Sequence, residues 1–207
     1  MPVRPRDPDR TREAILDAAE ALFAQKGYKA TSLAEVGRRA GVSRGTPGYF
    51  FGSKEQLYRA VLNRAFERAR MVLTQARQRA AASGDGPQAL LREGVRSYLD
   101  FLASRPTFVR LVEWEALGGG RFLGDVPAHI AGLQEALSTA EGELASGAFR
   151  TTDAAHLLIS IMGLCWFPFA HAETLVRSLG LDPKDPAFLA SRKQHVIDLV
   201  LNGLMPR

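Results

Sequence analysis

The sequence predicts an all-α fold of about nine helices: a three-helix bundle carrying a helix-turn-helix at the N-terminal end, then a larger helical domain. Three observations predict it. Apolar residues recur at helical spacing, i, i+3, i+4 and i+7, in segment after segment. No stretch sustains strand alternation, and no segment repeats. Glycine, proline and capping residues break the chain at intervals of helix length.

The first ten residues, with Arg4, Arg6 and Arg10, are expected as a flexible basic arm. Such an arm either has no function or lies along a groove of DNA. Residues 11–26 form an amphipathic helix through Ile15, Ala18, Ala19, Leu22 and Phe23, capped by Thr11 and ended by Gly27. Thr31 and Ser32 are both suited to cap the next helix. If Ser32 is the cap, Glu35 completes a capping box. Leu33, Val36 and Ala40 then share one face, and Gly41 ends the helix in a left-handed conformation. Ser43 is expected to cap a third helix beginning at Arg44, and Gly52 to end it. Pro47 and Gly48 weaken that helix. Glycine there permits close backbone approach to a surface, with Arg44, Thr46 and Tyr49 as the exposed candidates.

Ser53 caps a long helix from Lys54 to about Ala82 that joins the two domains. A lysine in a first turn opposes the helix dipole, so Lys54 is expected to meet a phosphate there. Two short helices about a tight glycine turn are the geometry that places a helix in the DNA major groove. Double-stranded DNA is therefore the expected partner.

This segment resembles the N-terminal DNA-binding domain of the TetR family of bacterial transcriptional regulators. The resemblance rests on the stretch from Thr11 to Tyr28, on Thr31 to Val42, on Ser43-Arg-Gly-Thr46 and on Tyr49-Phe-Phe-Gly-Ser-Lys-Glu-Gln-Leu-Tyr58. One departure is Pro47-Gly48, where many members carry a bulky pair. Another is Phe50, where a histidine is frequent. The resemblance implies operator DNA met by Thr31, Ser32, Ser43, Arg44, Gly45, Thr46, Gly48, Tyr49, Phe50 and Lys54. It also implies a homodimer, a small-molecule effector held by the second domain, and a repressor that the effector releases from DNA.

Beyond the domain boundary expected after residue 58, helices are predicted over Gln88–Ala103, Thr107–Leu117, Val126–Ala145, Thr152–Ala172 and Pro186–Leu204. Ser83-Gly-Asp-Gly-Pro87 and Gly118–Gly124 are breaks. The segment Thr152–Ala172 is apolar nearly all round and needs cover on more than one side. With the last helix it is the expected dimer surface, through Leu157, Ile161, Leu164, Val196, Leu199, Val200 and Gly203. Aromatic and soft residues concentrate in this part of the chain. Tyr98, Phe101, Phe108, Trp114, Phe122, Met162, Trp166 and Phe169, with Glu115, His129 and Cys165 as polar contacts, are expected to line the pocket of a largely apolar effector.

Composition narrows the function classes. The chain has 207 residues with ordinary apolar (46%) and charged (24%) fractions, enough for one or two cores. Residues 1–80 carry 16 Lys and Arg against 8 Asp and Glu, and residues 81–207 carry 11 against 14. The basic half holds the helix-turn-helix, as a polyanion partner requires. Cys165 stands alone, so no intrachain disulfide forms, and a cytoplasmic setting is expected. No secretory leader is expected, and the apolar run from Leu157 to Ala170 is shorter than a membrane span. His129, His156, His171 and His195 lack metal-ligand spacing. No nucleophile elbow, phosphate loop or dinucleotide fingerprint is present. Neither an enzyme nor a cofactor is expected. The rival readings are a helical-bundle enzyme and a DNA-architectural protein without effector control.

Overall fold

The computed structural model describes residues 7–86 and 88–205. Among these, all regular structure is helical: α1 (Pro8–Ala30), α2 (Leu33–Arg39), α3 (Thr46–Phe51), α4 (Lys54–Ser83), α5 (Gln88–Ser104), α6 (Pro106–Leu117), α7 (Pro127–Ala145), α8 (Ala154–Ala170) and α9 (Pro186–Leu204). Short turns of other helical types lie at Leu123–Asp125, Ala172–Val176 and Arg177–Leu179. The chain forms two compact units. One is Met1–Ala65 with Arg110–Val126, and the other is Phe66–Val109 with Pro127–Arg207.

The first unit is larger than the sequence indicated. Glu115, on α6, is 4% exposed. Its carboxylate accepts from the Tyr58 hydroxyl at 2.9 Å and from the Phe122 backbone N–H at 3.0 Å. Phe122 in turn packs on Tyr28 and Tyr58 at ring distances of 4.8 and 5.1 Å. A buried carboxylate needs such donors, and finding them binds Arg110–Val126 to the first unit.

Helix α1 starts earlier than expected. Asp7, not Thr11, is its cap, its carboxylate accepting from Asp9 N–H at 3.0 Å, with Pro8 in the first turn. Arg10 is therefore helical, while Arg4 and Arg6 of the expected arm lie outside the described residues. Gly27 breaks the α1 span at φ 77°, ψ 174°, as expected of a glycine. A side chain there would also strike the Trp114 ring, 3.1 Å from the position of a Cβ. Arg64 on α4 clamps α1 through Glu13, Asp17 and Glu20 at 2.8–2.9 Å.

Ser32 is the cap of α2, accepting from Glu35 N–H at 3.2 Å. The Glu35 side chain does not return the bond. It pairs with Lys26, which lowers its pKa. At the far end, Gly41 N–H donates to Arg38 O and Val42 N–H to Gly37 O, with Gly41 at φ 67°. These two bonds and the left-handed glycine make a Schellman cap that turns the chain toward α3. Ser53 and Gln56 form a reciprocal capping box at the start of α4.

In the second unit, α5 packs on α8 and α9, and α7 on α8. Phe101, Phe108 and Trp166 meet edge-on, and Phe66 packs against both Phe108 and His129. Arg70 and Arg77 of α4 both reach Glu135 of α7. Helix α8 starts at Ala154 behind an Asp153 cap and not at Thr152. Among the described residues no single helix is long and apolar enough to cross a membrane.

Candidate nucleic-acid interface

The third helix is shorter than its sequence suggested, and the difference explains its composition. It begins at Thr46, so Ser43 and Arg44 precede it. Ser43 is not a regular cap: its hydroxyl meets the Thr46 hydroxyl at 2.7 Å. Pro47 then falls in the first turn, where a missing N–H costs nothing. Pro47 is buried and packs toward α2: a Cβ at Gly37 would lie 3.4 Å from the proline ring and 2.7 Å from Ser43 O. Gly37 is thus what lets α2 approach the turn. Gly48 is half-buried, with only the Leu33 side chain near its Cβ position.

With Pro47 inward, the opposite side of α3 is presented outward. Tyr49 is 87% exposed, its ring edge-on to Phe50 at 5.5 Å. Ser43, Arg44 and Gly45 are exposed beside it, and Thr46 and Phe50 are half-buried. Ser32 is exposed at the start of α2. These residues fall on one segment, from the start of α2 through α3.

Two expected contacts are corrected. Thr31 is 3% exposed, and its hydroxyl donates to Gly27 O at 2.9 Å, so it closes α1 and offers nothing to a ligand. The Lys54 ammonium donates to Tyr28 O at 3.0 Å and Lys29 O at 3.4 Å, and sits 4.3 Å from the centre of the Tyr28 ring. Carbonyls at the end of α1 have lost their helical donors, and a cation at a helix C-terminus satisfies them and the dipole together. Lys54 is first a structural tie between α4 and α1. Lys54→Met is therefore expected to cost about 1–2 kcal/mol of stability. Thermal melting checks this, and an unchanged melting temperature would leave Lys54 a phosphate contact alone.

Comparison with known proteins agrees with this geometry. Residues 15–61 match the family profile described as bacterial regulatory proteins, tetR family, and residues 87–200 match that of the tetracyclin repressor-like C-terminal domain. The chain belongs to the TetR family of bacterial transcriptional regulators. It is 29% identical over 209 residues to the HTH-type transcriptional repressor NicS of Pseudomonas putida, spanning 98% of this chain and 96% of NicS. It is 29% identical over 201 residues to the HTH-type transcriptional regulator RutR of Escherichia coli, spanning 95% and 91%. In fold it resembles a TetR-family regulator from Mesorhizobium loti, with a TM-score of 0.72, 20% identity and 96% and 98% of the two chains covered. It also resembles a ketosteroid transcriptional regulator of Mycobacterium tuberculosis, with a TM-score of 0.66, 19% identity and 100% and 98% coverage. This TetR-family protein is a DNA-binding transcriptional regulator, and the enzyme and architectural readings are not favoured.

The residues expected to line an effector pocket divide between the two units. Trp114, Glu115 and Phe122 belong to the first, where Glu115 and Phe122 are buried and the partly exposed Trp114 donates its indole N–H to Ala24 O at 3.2 Å. They are withdrawn from the pocket. Tyr98, Phe101, Phe108, His129, Met162, Cys165, Trp166 and Phe169 remain together in the second unit of this TetR-family chain. Phe66, on α4, joins the aromatic cluster and was missed, because α4 was judged only as a connector. Burial lowers the His129 pKa and pushes the Cys165 thiol up to about 12.

The expected dimer surface is also revised in part. Val196 and Val200 are buried with Ile197, Leu201 and Leu204 on the face of α9 turned to its own core. Leu199 is 50% exposed on another face. On α8, Leu157, Ile161 and Leu164 are half-buried, as is Gly203 on α9. Ile159 at 66% and Phe167 at 47% exposure are exposed apolar residues of α8 outside the expected dimer set.

Proposed function

We propose that this regulator is a cytoplasmic, homodimeric repressor that holds operator DNA through α3 and releases it when a small, largely apolar effector enters the second unit. The observation that carries the reading is Tyr49. A large aromatic side chain standing 87% exposed on a six-residue helix gains nothing for the fold. Beside it, Arg44 supplies a guanidinium and Gly45 and Gly48 allow close approach of backbone to a duplex. Ser32, Ser43 and Thr46 supply hydroxyls for phosphates, which set register without reading sequence. Lys54 adds charge near the same backbone while tying α4 to α1.

Twofold operators match twofold proteins with readers about 34–36 Å apart. The uncovered apolar residues Ile159, Phe167 and Leu199, on α8 and α9, support pairing of two chains through those helices. The aromatic cluster of the second unit supports an apolar effector. Release of DNA is then limited by the effector's differential affinity for the two arrangements of the dimer.

Footprinting of the full-length protein on the DNA upstream of its own gene tests the reading. A protected, pseudo-palindromic site is expected. Protein that protects no sequence above non-specific background would refute it. Arg44→Ala is expected to cost about 1–3 kcal/mol in operator binding if it reads a guanine. The loss should concentrate at one base pair of each half-site in a competition series, and unchanged affinity and specificity would remove Arg44 from the interface.

A further inference from the structure

Within the second unit, the end of α4 and the first half of α5 enclose a cleft of about 220 Å³. Arg79, Asp85, Ala89, Arg92, Glu93 and Arg96 are among the residues that line it. None of them belongs to the aromatic cluster. The cleft is smaller than the pockets that take drug-sized ligands. Its floor is Ala89, 6% exposed, where a longer side chain would fill the space.

Three guanidiniums line this cleft against two carboxylates, Glu93 and Asp85. Arg79 is pinned at two points. Its Nε donates to Glu93 Oε2 at 3.1 Å, and its Nη2 donates to the buried Ser97 hydroxyl at 2.8 Å. Arg96 Nη1 stands 3.6 Å from Glu93 Oε1, so one carboxylate holds two guanidiniums in place. Arg92 has no carboxylate partner among the described residues; its Nη2 donates to the Gln88 amide oxygen at 3.0 Å. Arg92 and Arg96 lie one turn apart on α5, and like charges at that spacing weaken a helix. The fold therefore gains little from gathering these charges. These bonds leave Arg79 Nη1 and most donors of Arg92 and Arg96 unused among the described residues.

We propose that this cleft binds the phosphoryl group of a small anion, as a second ligand site of the regulator. A phosphate carries two negative charges and presents tetrahedral oxygens, which accept from guanidiniums arriving from several directions. A planar carboxylate meets one fork at a time. Arg92 is the principal anchor, because it alone of the three has no counter-ion. Arg79 and Arg96 complete the cradle, and Glu93 holds both in position, so little side-chain freedom is lost on binding. The site is independent of the effector reading, which concerns an apolar molecule among the aromatic residues.

The test is calorimetric titration of the full-length protein with inorganic phosphate, glycerol 3-phosphate and acetate at constant ionic strength. At least one phosphate is expected to bind one per chain with a Kd of about 1 mM or tighter, and at least tenfold more tightly than acetate. The tighter of the two phosphates tells whether the source is the free ion or an ester. Arg92→Gln should weaken that binding tenfold or more, and Arg92→Gln with Arg96→Gln should abolish it. Both side chains reach solvent, so melting temperature should stay unchanged, which separates lost binding from lost folding. Phosphates that bind no better than acetate, or binding that persists in the folded double variant, would overturn the proposal. Footprinting of the same variants on the upstream DNA reads operator binding separately. A protein that protects its operator but ignores phosphate loses only this inference.

Discussion

Gly37→Ala should unsettle the whole reading head. A Cβ at that position lies 2.7 Å from the Ser43 backbone oxygen, closer than any real contact, and neither atom belongs to a side chain that can swing away. Relief requires α2 and the turn to separate. Overpacking of this kind costs about 1–3 kcal/mol. For a chain of this length each kcal/mol lowers the melting temperature by roughly 2–4 °C. Operator affinity should fall further than stability alone explains, because Ser43, Arg44 and α3 hang from that turn. Gly41→Ala is the control. Its glycine is left-handed at φ 67°, yet nothing lies within 4 Å of the Cβ position, so only the backbone cost of about 1–2 kcal/mol applies. A Gly37→Ala protein that melts and binds operator like the unaltered chain would show that the close approach is unimportant.

Glu115→Ala is expected to lower stability by about 3 kcal/mol, since it leaves two buried donors, the Tyr58 hydroxyl and the Phe122 N–H, without an acceptor. Glu115→Gln keeps one acceptor and should recover about half of that loss. Tyr58→Phe in the Glu115→Ala background removes one orphaned donor and should recover part of it too, as a double-mutant cycle would reveal. Denaturant melts of the unaltered chain, the three variants and Tyr58→Phe alone measure this. Equal stability of Glu115→Ala and the unaltered chain would mean that the segment Arg110–Val126 is held by ring packing alone.

These two positions mark where reading the sequence stopped. Gly37 lies inside a short helix and carries no turn signal, and its role depends on an oxygen six residues away. Glu115 was assigned to an effector pocket because aromatic residues flank it, yet its partners are one residue at position 58 and one backbone N–H. Lys54 and Thr31 were expected to face phosphate because both stand at helix ends. Each instead satisfies carbonyls at the end of α1, which become visible only once Gly27 is known to break the helix there. Val196 and Val200 shared a stripe with Leu199, but a stripe does not tell which of its flanks meets the chain's own core.

The sequence by itself determined the helices, the caps at Ser32 and Ser53, the glycine turns at Gly41 and Gly52, and with them a helix-turn-helix in a basic half of the chain. Those signals act over three to seven residues, the range of a hydrogen bond in a helix or turn, so local chemistry is enough to settle them. Only the tertiary structure decided that Pro47 falls in the first turn of α3 and is buried, that Arg110–Val126 belongs with the reading head, and that Arg192 donates to the carbonyl of Leu164, for which Pro168 has no N–H to offer. Those outcomes depend on groups far apart in the chain whose buried donors, acceptors and volumes must be matched, and such matching is a property of packing in space.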